Sequence, residues 1–586
     1  MDELFNILSS TARIDKSKRK KKSKLSTEST PYESIASISA SAISSEKDHS
    51  ASKQKHIHQE QINAFRNRVG ISLSHKNKHD ATIPDPISAF ADLAPPAWWT
   101  DKKSFQSLHT SIVRNIESGR WINPTPIQMQ ATPSLLSRRD VLGCAPTGSG
   151  KSGAFIIPAL FLTSVSDAVF YKNGSAHADA KSKGKKGKGV VVDAPSNKIR
   201  ALLLAPSREL ASQLHREVER LGEGKIGGIR SALLSKSNAA TICANSSSSK
   251  SKGLDVLVST PLRLVECLKE EHAHGKQLDL GSVRMVVLDE ADRLLDARDG
   301  MDGEDAKSGS SHIKTFLEQV DNILSHIPST AVRALFSATI GSSVRHLAES
   351  ILRNELDIST GMKNGNSTAA GVNNNVSQSL MFVGREQGKL LAIRQIIAKG
   401  ISPPLIIFMQ SKDRAQALFM ELMYDNVHVD VVHAGKSQAA RDAAVARFRK
   451  GDTWVLICTD LCSRGLDFKA VNMVINYDLP TSGVTYVHRI GRCGRGGRKG
   501  EAITLFTEQD FEHLRNIANI MKLSGCDVPA WMLAVKGMKG NNNMPVKRAT
   551  IDTTPAYDKN KRYRRKQHIQ HSKRRREEGP GGQQHK

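Results

Sequence analysis

Between about residues 87 and 358, short runs of Val, Ile and Leu alternate with stretches whose apolar residues fall at helical spacing. The runs Ala201-Leu-Leu-Leu-Ala, Leu254-Asp-Val-Leu-Val-Ser, Met285-Val-Val-Leu and Ala334-Leu-Phe-Ser lack the polar alternation of a strand with one wet face. Near-continuous apolar strands separated by helical patterns predict a parallel sheet buried on both faces. The pattern lapses over Gly361 to Gln378, a Gly- and Asn-rich stretch that reads as a flexible linker. It restarts at Ser379-Leu-Met-Phe-Val and continues through Leu405-Ile-Ile-Phe, Val427 to Val432, Trp454-Val-Leu-Ile-Cys, Val471-Asn-Met-Val-Ile and Ala502-Ile-Thr-Leu-Phe. A helix from about Phe511 to Leu523 closes this second unit. The expectation is an α/β protein of two similar parallel-sheet lobes, 81–360 and 379–535, with the linker 361–378 between them. A ligand in the cleft could draw such lobes together.

Three polar inserts, at about 172–198, 236–253 and 297–312, interrupt the first lobe and read as surface loops, because their Gly/Ser/Lys mixtures cannot pack a core. The ends differ again. Residues 1–80 are rich in Ser and Lys, include Lys18-Arg-Lys-Lys-Lys-Ser-Lys24, and are expected to be disordered, as is the tail 536–586. These two ends carry +6 and +11, so they hold 17 of the chain's +27 excess charges. Basic ends of this kind serve solubility, nuclear import or RNA contact, and each points to a nucleic-acid-rich compartment. The seven cysteines form no Cys-x-x-Cys pair, which fits a reducing compartment better than a disulfide scaffold or a zinc site. No secretory start is evident, and the longest nearly apolar run, Gly153 to Val165, is too short to span a bilayer, so a soluble intracellular protein without membrane attachment is expected.

The chemistry is concentrated in three places. Ala145-Pro146-Thr147-Gly148-Ser149-Gly150-Lys151-Ser152 lies between a predicted strand and a predicted helix, the context in which such a loop cradles phosphates. Lys151 would neutralise the β/γ oxygens, and the Ser152 hydroxyl would ligate magnesium. Ala145 stands where the general motif has Gly. Further on, Asp289-Glu290-Ala291-Asp292 follows an apolar strand, placing Asp289 to hold magnesium and Glu290 to orient or deprotonate water. Arg492 and Arg495, three apart in His488-Arg-Ile-Gly-Arg-Cys-Gly-Arg495, can direct two guanidinium groups at one polyphosphate. Taken alone, an acidic turn can be merely solvated and an Arg/Gly run merely a loose RNA-binding segment.

With Gln128 in Pro124-Thr-Pro-Ile-Gln128, Pro206-Ser-Arg-Glu-Leu-Ala211, Thr260-Pro-Leu-Arg263, Ser337-Ala-Thr339 and Thr459-Asp-Leu-Cys-Ser-Arg-Gly-Leu-Asp467, these motifs stand in the order found in DEAD-box RNA helicases, and residues 87–535 resemble that family. Lys389-Leu-Leu-Ala-Ile-Arg, Trp454-Val-Leu-Ile-Cys, Val474-Ile-Asn-Tyr-Asp and Ile551-Asp-Thr-Thr-Pro resemble the Rok subgroup, helicases of small-ribosomal-subunit maturation.

The resemblance implies two RecA-like domains, ATP and Mg2+ as cofactors, RNA as partner and a monomeric core. Gln128 would read the adenine edge beneath an upstream aromatic. Phe90 matches the family's wording and Phe105 its spacing, so both stay open. Asp467 would approach the ribose. Asp292, Ser337, Thr339 and His488 would couple hydrolysis to lobe movement. Pro206, Arg208, Thr260, Arg263, Gln438, Arg441, Thr459 and Gly465 would line the RNA track. Cys493 and Ser207 stand where the family usually has Thr, and Gly227-Gly228 precedes a strand that the family's glycine pair follows. The subgroup further implies pre-rRNA or a snoRNA–pre-rRNA duplex, pre-ribosomal proteins, and a nuclear, nucleolar location. Two other readings use much of the same motif set. An ATP-regulated RNA clamp would keep its function in Glu290→Gln, and a DNA translocase would show DNA-dependent turnover.

Overall fold

The computed structural model of the chain describes residues 49–75, 83–171, 198–223, 228–246, 254–269, 278–294, 316–353, 355–361, 375–460, 471–480, 482–495 and 498–534, together with residues 468, 548 and 551. Two sheets account for the alternating pattern. The first has strands β1 (Ile71–His75), β2 (Val141–Cys144), β3 (Ala201–Leu204), β4 (Ser231–Leu233), β5 (Val256–Ser259), β6 (Met285–Asp289), β7 (Val332–Ser337) and β8 (Leu356–Thr360), in the order β1-β8-β2-β7-β6-β3-β5-β4. The second has β9 (Val376–Phe382), β10 (Leu405–Met409), β11 (Val429–Val432), β12 (Val455–Thr459), β13 (Met473–Asn476) and β14 (Gly500–Phe506), in the order β11-β12-β10-β13-β14-β9. Every pairing is parallel except β1 with β8.

Parallel strands joined through helices bury both faces, which is why β2, β3, β5 and β6 are buried at every position. Each sheet is accordingly flanked by two apolar clusters. Among the described residues, no helix is long and apolar enough to cross a membrane.

The register places the chemistry. Cys144 pairs with Ser337 across β2 and β7, and Asp289 pairs with Phe336 across β6 and β7. The phosphate loop, the acidic turn and Ser337-Ala-Thr339 therefore leave one edge of the sheet side by side. Ligands of open parallel sheets bind at this edge, outside the carboxyl ends of the strands.

Several expectations change. Residues 49–75, expected to be disordered, form a helix (His49–Val69) and β1. Ile62, Phe65 and Ile71 are buried, and the buried Arg66 guanidinium donates to Gln130 Oε1 at 2.9 Å. This segment covers the β8 edge, which would otherwise present unpaired backbone. The insert at 236–253 contains the helix Ala239–Ser246, held by buried Ile242 and Cys243. The expected linker ends earlier, because β9 begins at Val376. The other two inserts lie almost wholly outside the described residues, as does most of the basic tail. Its Arg548 and Ile551 are described and pack on the second lobe.

Candidate nucleotide and RNA site between the lobes

The loop after β2 turns through Gly148 (φ 77°) and Gly150 (φ 85°), left-handed conformations that a side chain would strain. Gly150 caps the helix Lys151–Ser164, so that helix's unpaired N–H groups open onto the loop. Lys151 Nζ donates to the Ala145 carbonyl at 2.6 Å and to that of Pro146 at 3.0 Å, which holds the ammonium within the cradle. Burial pushes its pKa down, against the pull of Asp289. Gln128 is tied at both ends of its amide. Its Oε1 accepts from the Thr125 N–H at 2.9 Å, and its Nε2 donates to the Gly150 carbonyl at 2.9 Å.

Asp289 ends β6 and is buried. Burial, then the Glu290 carboxylate, raises its pKa to about 7, with Lys151 opposing. Glu290 has φ 51°, a left-handed conformation rare outside glycine and costing about 1–3 kcal/mol where it is imposed. That turn starts the short helix Ala291–Leu294, which carries Asp292 inward. Asp292 Oδ2 accepts from Thr339 Oγ1 at 2.5 Å and from His488 Nε2 at 2.9 Å. Burial opposes ionisation of Asp292, but the His488 charge and hydrogen bonds from His488, Thr339 and Ser337 outweigh it and hold the pKa well below the carboxylate range. Ser337 Oγ in turn donates to the Thr339 carbonyl at 2.8 Å.

His488 belongs to the second lobe, so its bond to Asp292 joins the lobes. The helix Gly483–Ile490 carries it, and the turn that follows sets Gly491 on the phosphate loop. Thr147 Oγ1 donates to the Gly491 carbonyl at 3.0 Å. Arg492 is buried and donates through Nε to the His488 carbonyl at 3.2 Å. Arg495 donates to the Gly491 carbonyl at 2.9 Å and lies so close to Gly148 that a Cβ there would sit 2.9 Å from its Cγ. Arg495 therefore stands over the loop of the other lobe, and Arg492 precedes it in the turn whose Gly491 meets Thr147.

The positions expected to line RNA also come from both lobes. Pro206 is buried and Arg208 exposed at the start of the helix Arg208–Gly222. Thr260 precedes the helix Pro261–Lys269, on which Arg263 pairs with Glu266 at 2.8 Å. In the second lobe Arg441 Nη2 donates to Gln438 Oε1 at 2.6 Å, and Arg441 Nη1 reaches Glu209 Oε1 of the first lobe at 2.8 Å. Thr459 ends β12, buried. Gly465 and Asp467 lie outside the described residues.

Phe105 is corrected. It is 1% exposed, stacks on Phe161 at 4.9 Å and meets Trp99 edge-on at 5.2 Å, so its ring faces the core and offers nothing to a nucleotide. Phe90 is buried as well, 6.5 Å from Trp121. Trp121 was missed by the sequence reading. A Cβ on Gly153 would lie 2.6 Å from Trp121 Cζ3 and 2.6 Å from Gln128 Nε2, so this ring touches the first turn of the phosphate-loop helix beside Gln128. Its place seven residues before Gln128, opening the segment that leads into the helix Pro126–Leu136, was the available signal.

The donor set fits a magnesium nucleotide. Ser149 Oγ is buried in the loop without a partner, and Asp289 is a carboxylate kept from easy ionisation until positive charge arrives. Among the described residues no three His, Cys, Asp or Glu side chains cluster as a metal site. A single carboxylate and a hydroxyl suit Mg2+, which takes its remaining ligands from phosphate and water.

The family model described as DEAD/DEAH box helicase matches residues 125–347, and that of the helicase conserved C-terminal domain matches residues 388–497. The ATP-dependent RNA helicase ROK1 of Eremothecium gossypii is 40% identical over 508 residues, covering 84% of this chain and 78% of that protein. The probable ATP-dependent RNA helicase DDX52 of Mus musculus is 39% identical over 529 residues, covering 89% of this chain and 77% of that protein. Among solved structures, S. cerevisiae Dbp5 bound to RNA and ADP BeF3 superposes with a TM-score of 0.54 at 26% identity, covering 72% of this chain and 94% of that one. Likeness of this degree over more than two thirds of each relative, joined to a site that spans two parallel-sheet lobes, places the chain in the DEAD-box family of ATP-dependent RNA helicases, with relatives of the ROK1 and DDX52 type.

Proposed function

We propose that this helicase uses ATP hydrolysis to open short RNA duplexes locally, or to remodel ribonucleoprotein, during assembly of the small ribosomal subunit in the nucleolus. The observation that carries the mechanism is the set of contacts from the second lobe onto the first at the phosphate loop, at Asp292 and at Glu209. These contacts link the nucleotide site and the RNA track, so neither lobe holds a complete machine alone.

In this reading the loop 145–152 cradles the phosphates of ATP, Gln128 meets the adenine, and Phe90 or Trp121 supplies the aromatic neighbour. Ser152 and Asp289 hold Mg2+, which when bound neutralises charge developing on the phosphate oxygens. Glu290 orients the attacking water and accepts its proton. Lys151 from the first lobe and Arg492 and Arg495 from the second stabilise charge on the transferred group, and an arginine so placed is worth ~10³–10⁵ in rate. Asp467 approaches the ribose. The relay His488–Asp292–Thr339–Ser337 reports lobe position to the acidic turn. Pro206, Arg208, Thr260, Arg263, Gln438, Arg441, Thr459 and Gly465 take one RNA strand by sugar and phosphate, so binding is sequence-independent and salt-sensitive. Selection for RNA runs through its 2′-hydroxyl.

The ribosomal assignment is supported by sequence likeness to the Rok subgroup and by the basic ends. Its RNA partner would be pre-rRNA or a snoRNA–pre-rRNA duplex, met among pre-ribosomal proteins. ATP turnover of the purified chain, with RNA, with DNA and with neither, tests the chemistry. RNA-specific stimulation abolished by Glu290→Gln is expected; RNA binding without turnover would favour the clamp. In cells, Lys151→Ala should accumulate precursors of the small-subunit rRNA. Normal small-subunit processing would sink the assignment.

A further inference from the structure

Six charged side chains meet at the carboxyl ends of β9, β10, β13 and β14. Glu386, Asp478 and Asp510 face Lys389, Arg414 and Arg548. Lys389 and Asp478 are fully buried, and the Arg548 side chain is 2% exposed. Arg548 donates to Asp510 Oδ1 at 2.6 Å through Nη2 and to Gln410 Oε1 at 3.0 Å through Nε, and lies 3.5 Å from both Glu386 and Asp478. The other five charges come from the lobe itself, whereas Arg548 arrives from 38 residues beyond Asp510. Three residues later, Ile551 packs against the apolar cluster that includes Ile396, Leu405 and Ile475. The C-terminal segment is thus attached at two points, one ionic and one apolar.

The cluster adjoins the helix that leads into the turn bearing the arginine pair. Asp478 accepts the Gln410 N–H at 2.9 Å through its carboxylate, and its main-chain carbonyl accepts Arg489 Nη1 at 2.8 Å. Arg489 also grips Asp460 at 2.6 and 2.7 Å, next to Thr459, and it neighbours His488 in the helix Gly483–Ile490. Without Arg548, three carboxylates would face two cations in the interior. A buried charge left uncompensated is strongly destabilising and is relieved by proton uptake, water entry or rearrangement. Burial alone would raise the Asp478 pKa, yet Lys389, Arg414 and Arg548 together bring it to about 2. Asp510 is also held low against burial, with Arg548 its leading partner.

We propose that Arg548 is a positioning residue for ATP turnover: the C-terminal segment latches into a guanidinium socket on the second lobe and fixes, through Asp478 and Arg489, the helix that presents Arg492 and Arg495. The latch rests on the reading of those two arginines as groups acting on the nucleotide.

The test uses the full chain with Arg548→Ala, Arg548→Lys and, as control, Arg492→Ala, measuring RNA-stimulated turnover, ATP KM and melting temperature. Misplacement on the scale of an ångström costs up to about a hundredfold in rate, so Arg548→Ala should lower kcat about tenfold or more. ATP KM should stay within about twofold, since the loop that binds ground-state ATP is in the other lobe. Arg548→Lys should recover part of the loss, and millimolar methylguanidinium should raise the turnover of Arg548→Ala where methylammonium does not. If Arg548→Ala melts below the assay temperature, Asp510→Asn, which removes the leading partner and keeps the shape, should show the same kcat loss. Wild-type kcat in Arg548→Ala beside an inactive Arg492→Ala overturns the latch. Wild-type turnover in Arg492→Ala overturns the reading of the arginines instead. A parallel change in kcat and KM without guanidinium rescue assigns Arg548 to stability alone, and the proposal falls.

Discussion

Replacing Gly491 by Ala adds one carbon at the contact between the lobes. Gly491 has φ −68°, so alanine fits the local backbone without strain. Its Cβ, however, would stand 1.9 Å from Thr147 Oγ1, where a distance under 3.0 Å forces something to shift. A χ1 turn of Thr147 alone would still leave the Thr147 Cβ only 3.1 Å away, so the turn and the phosphate loop separate, by up to about 1 Å, the difference between 1.9 and 3.0 Å. The hydrogen bond from Thr147 to the Gly491 carbonyl is lost with that movement. Arg492 and Arg495 follow in the same turn and are carried away from the loop. A shift of this size costs about a hundredfold in rate when it moves catalytic groups, so kcat for RNA-stimulated ATP hydrolysis should fall by about that factor, while each lobe melts as before. Thr147→Ala alone removes one hydrogen bond, worth about 1 kcal/mol or roughly fivefold. Combined with Gly491→Ala it removes the clashing oxygen, so the double variant should be faster than Gly491→Ala. Wild-type kcat in Gly491→Ala, or a double variant no faster than the single, would refute the contact and with it the closed arrangement.

Phe105→Ala should cost about 3–5 kcal/mol of stability by emptying a core ring site, seen as a lowered melting temperature with ATP KM unchanged. Trp121→Ala should instead raise ATP KM, and the reverse pattern would restore Phe105 to the nucleotide. Glu209→Ala should weaken RNA affinity in the ATP-bound state by about 1 kcal/mol or less through this partly screened pair, and Arg441→Ala by more because it also removes a proposed RNA contact, with the double variant no worse than Arg441→Ala. Additive losses in binding assays would separate the two residues. Acidification should weaken the second lobe. Asp478 and Asp510 have folded pKa values below their unfolded ones, so their contribution is complete above about pH 5 and is lost on acidification, for Asp478 as pH falls towards about 2. For Asp478 the difference is on the order of 2 kcal/mol. Melting between pH 5 and 3 should show that slope, and Asp478→Asn should flatten it.

Most of the strands were legible because a buried parallel strand needs an unbroken apolar run, and few other elements place one before a Gly-rich loop or an acidic turn. The runs at 201–204, 285–289 and 405–409 needed no partner to be recognised. Elements whose burial depends on a distant surface were not legible. The helix His49–Val69 begins polar, and the burial of Ile62 and Phe65 has meaning only against the β8 edge. Ile242 and Cys243 are two apolar positions among serines, too few for a period. Phe105 could not be placed from spacing, because the rings of Trp99 and Phe161 that cover it meet it only in the folded lobe. Bonds between residues 292 and 488, or 209 and 441, leave no trace in local pattern at all.

Those long-range bonds also indicate why hydrolysis can be gated. The named polar contacts joining the lobes comprise the Thr147–Gly491 hydrogen bond, the His488–Asp292 hydrogen bond and the Arg441–Glu209 ion pair. Because the open lobes satisfy the same groups with solvent, the Thr147 bond and the Glu209–Arg441 pair are each worth about 0.5–1.5 kcal/mol net, and the buried bond to the Asp292 carboxylate about 1.5–3 kcal/mol. Moving a two-state equilibrium from mostly open to mostly closed takes about 5.5 kcal/mol, and ordering one lobe on the other opposes it. The protein's own contacts are thus of the right size to define the closed geometry and too small to impose it. ATP on the loop, reached by Arg492 and Arg495, and an RNA strand laid across both halves of its track would each favour the same geometry. Either alone shifts the balance in part, and the two together complete it. In the proposed reading, loss of the γ-phosphate on hydrolysis would remove the ligand that both arginines share, and the lobes would part and release the strand.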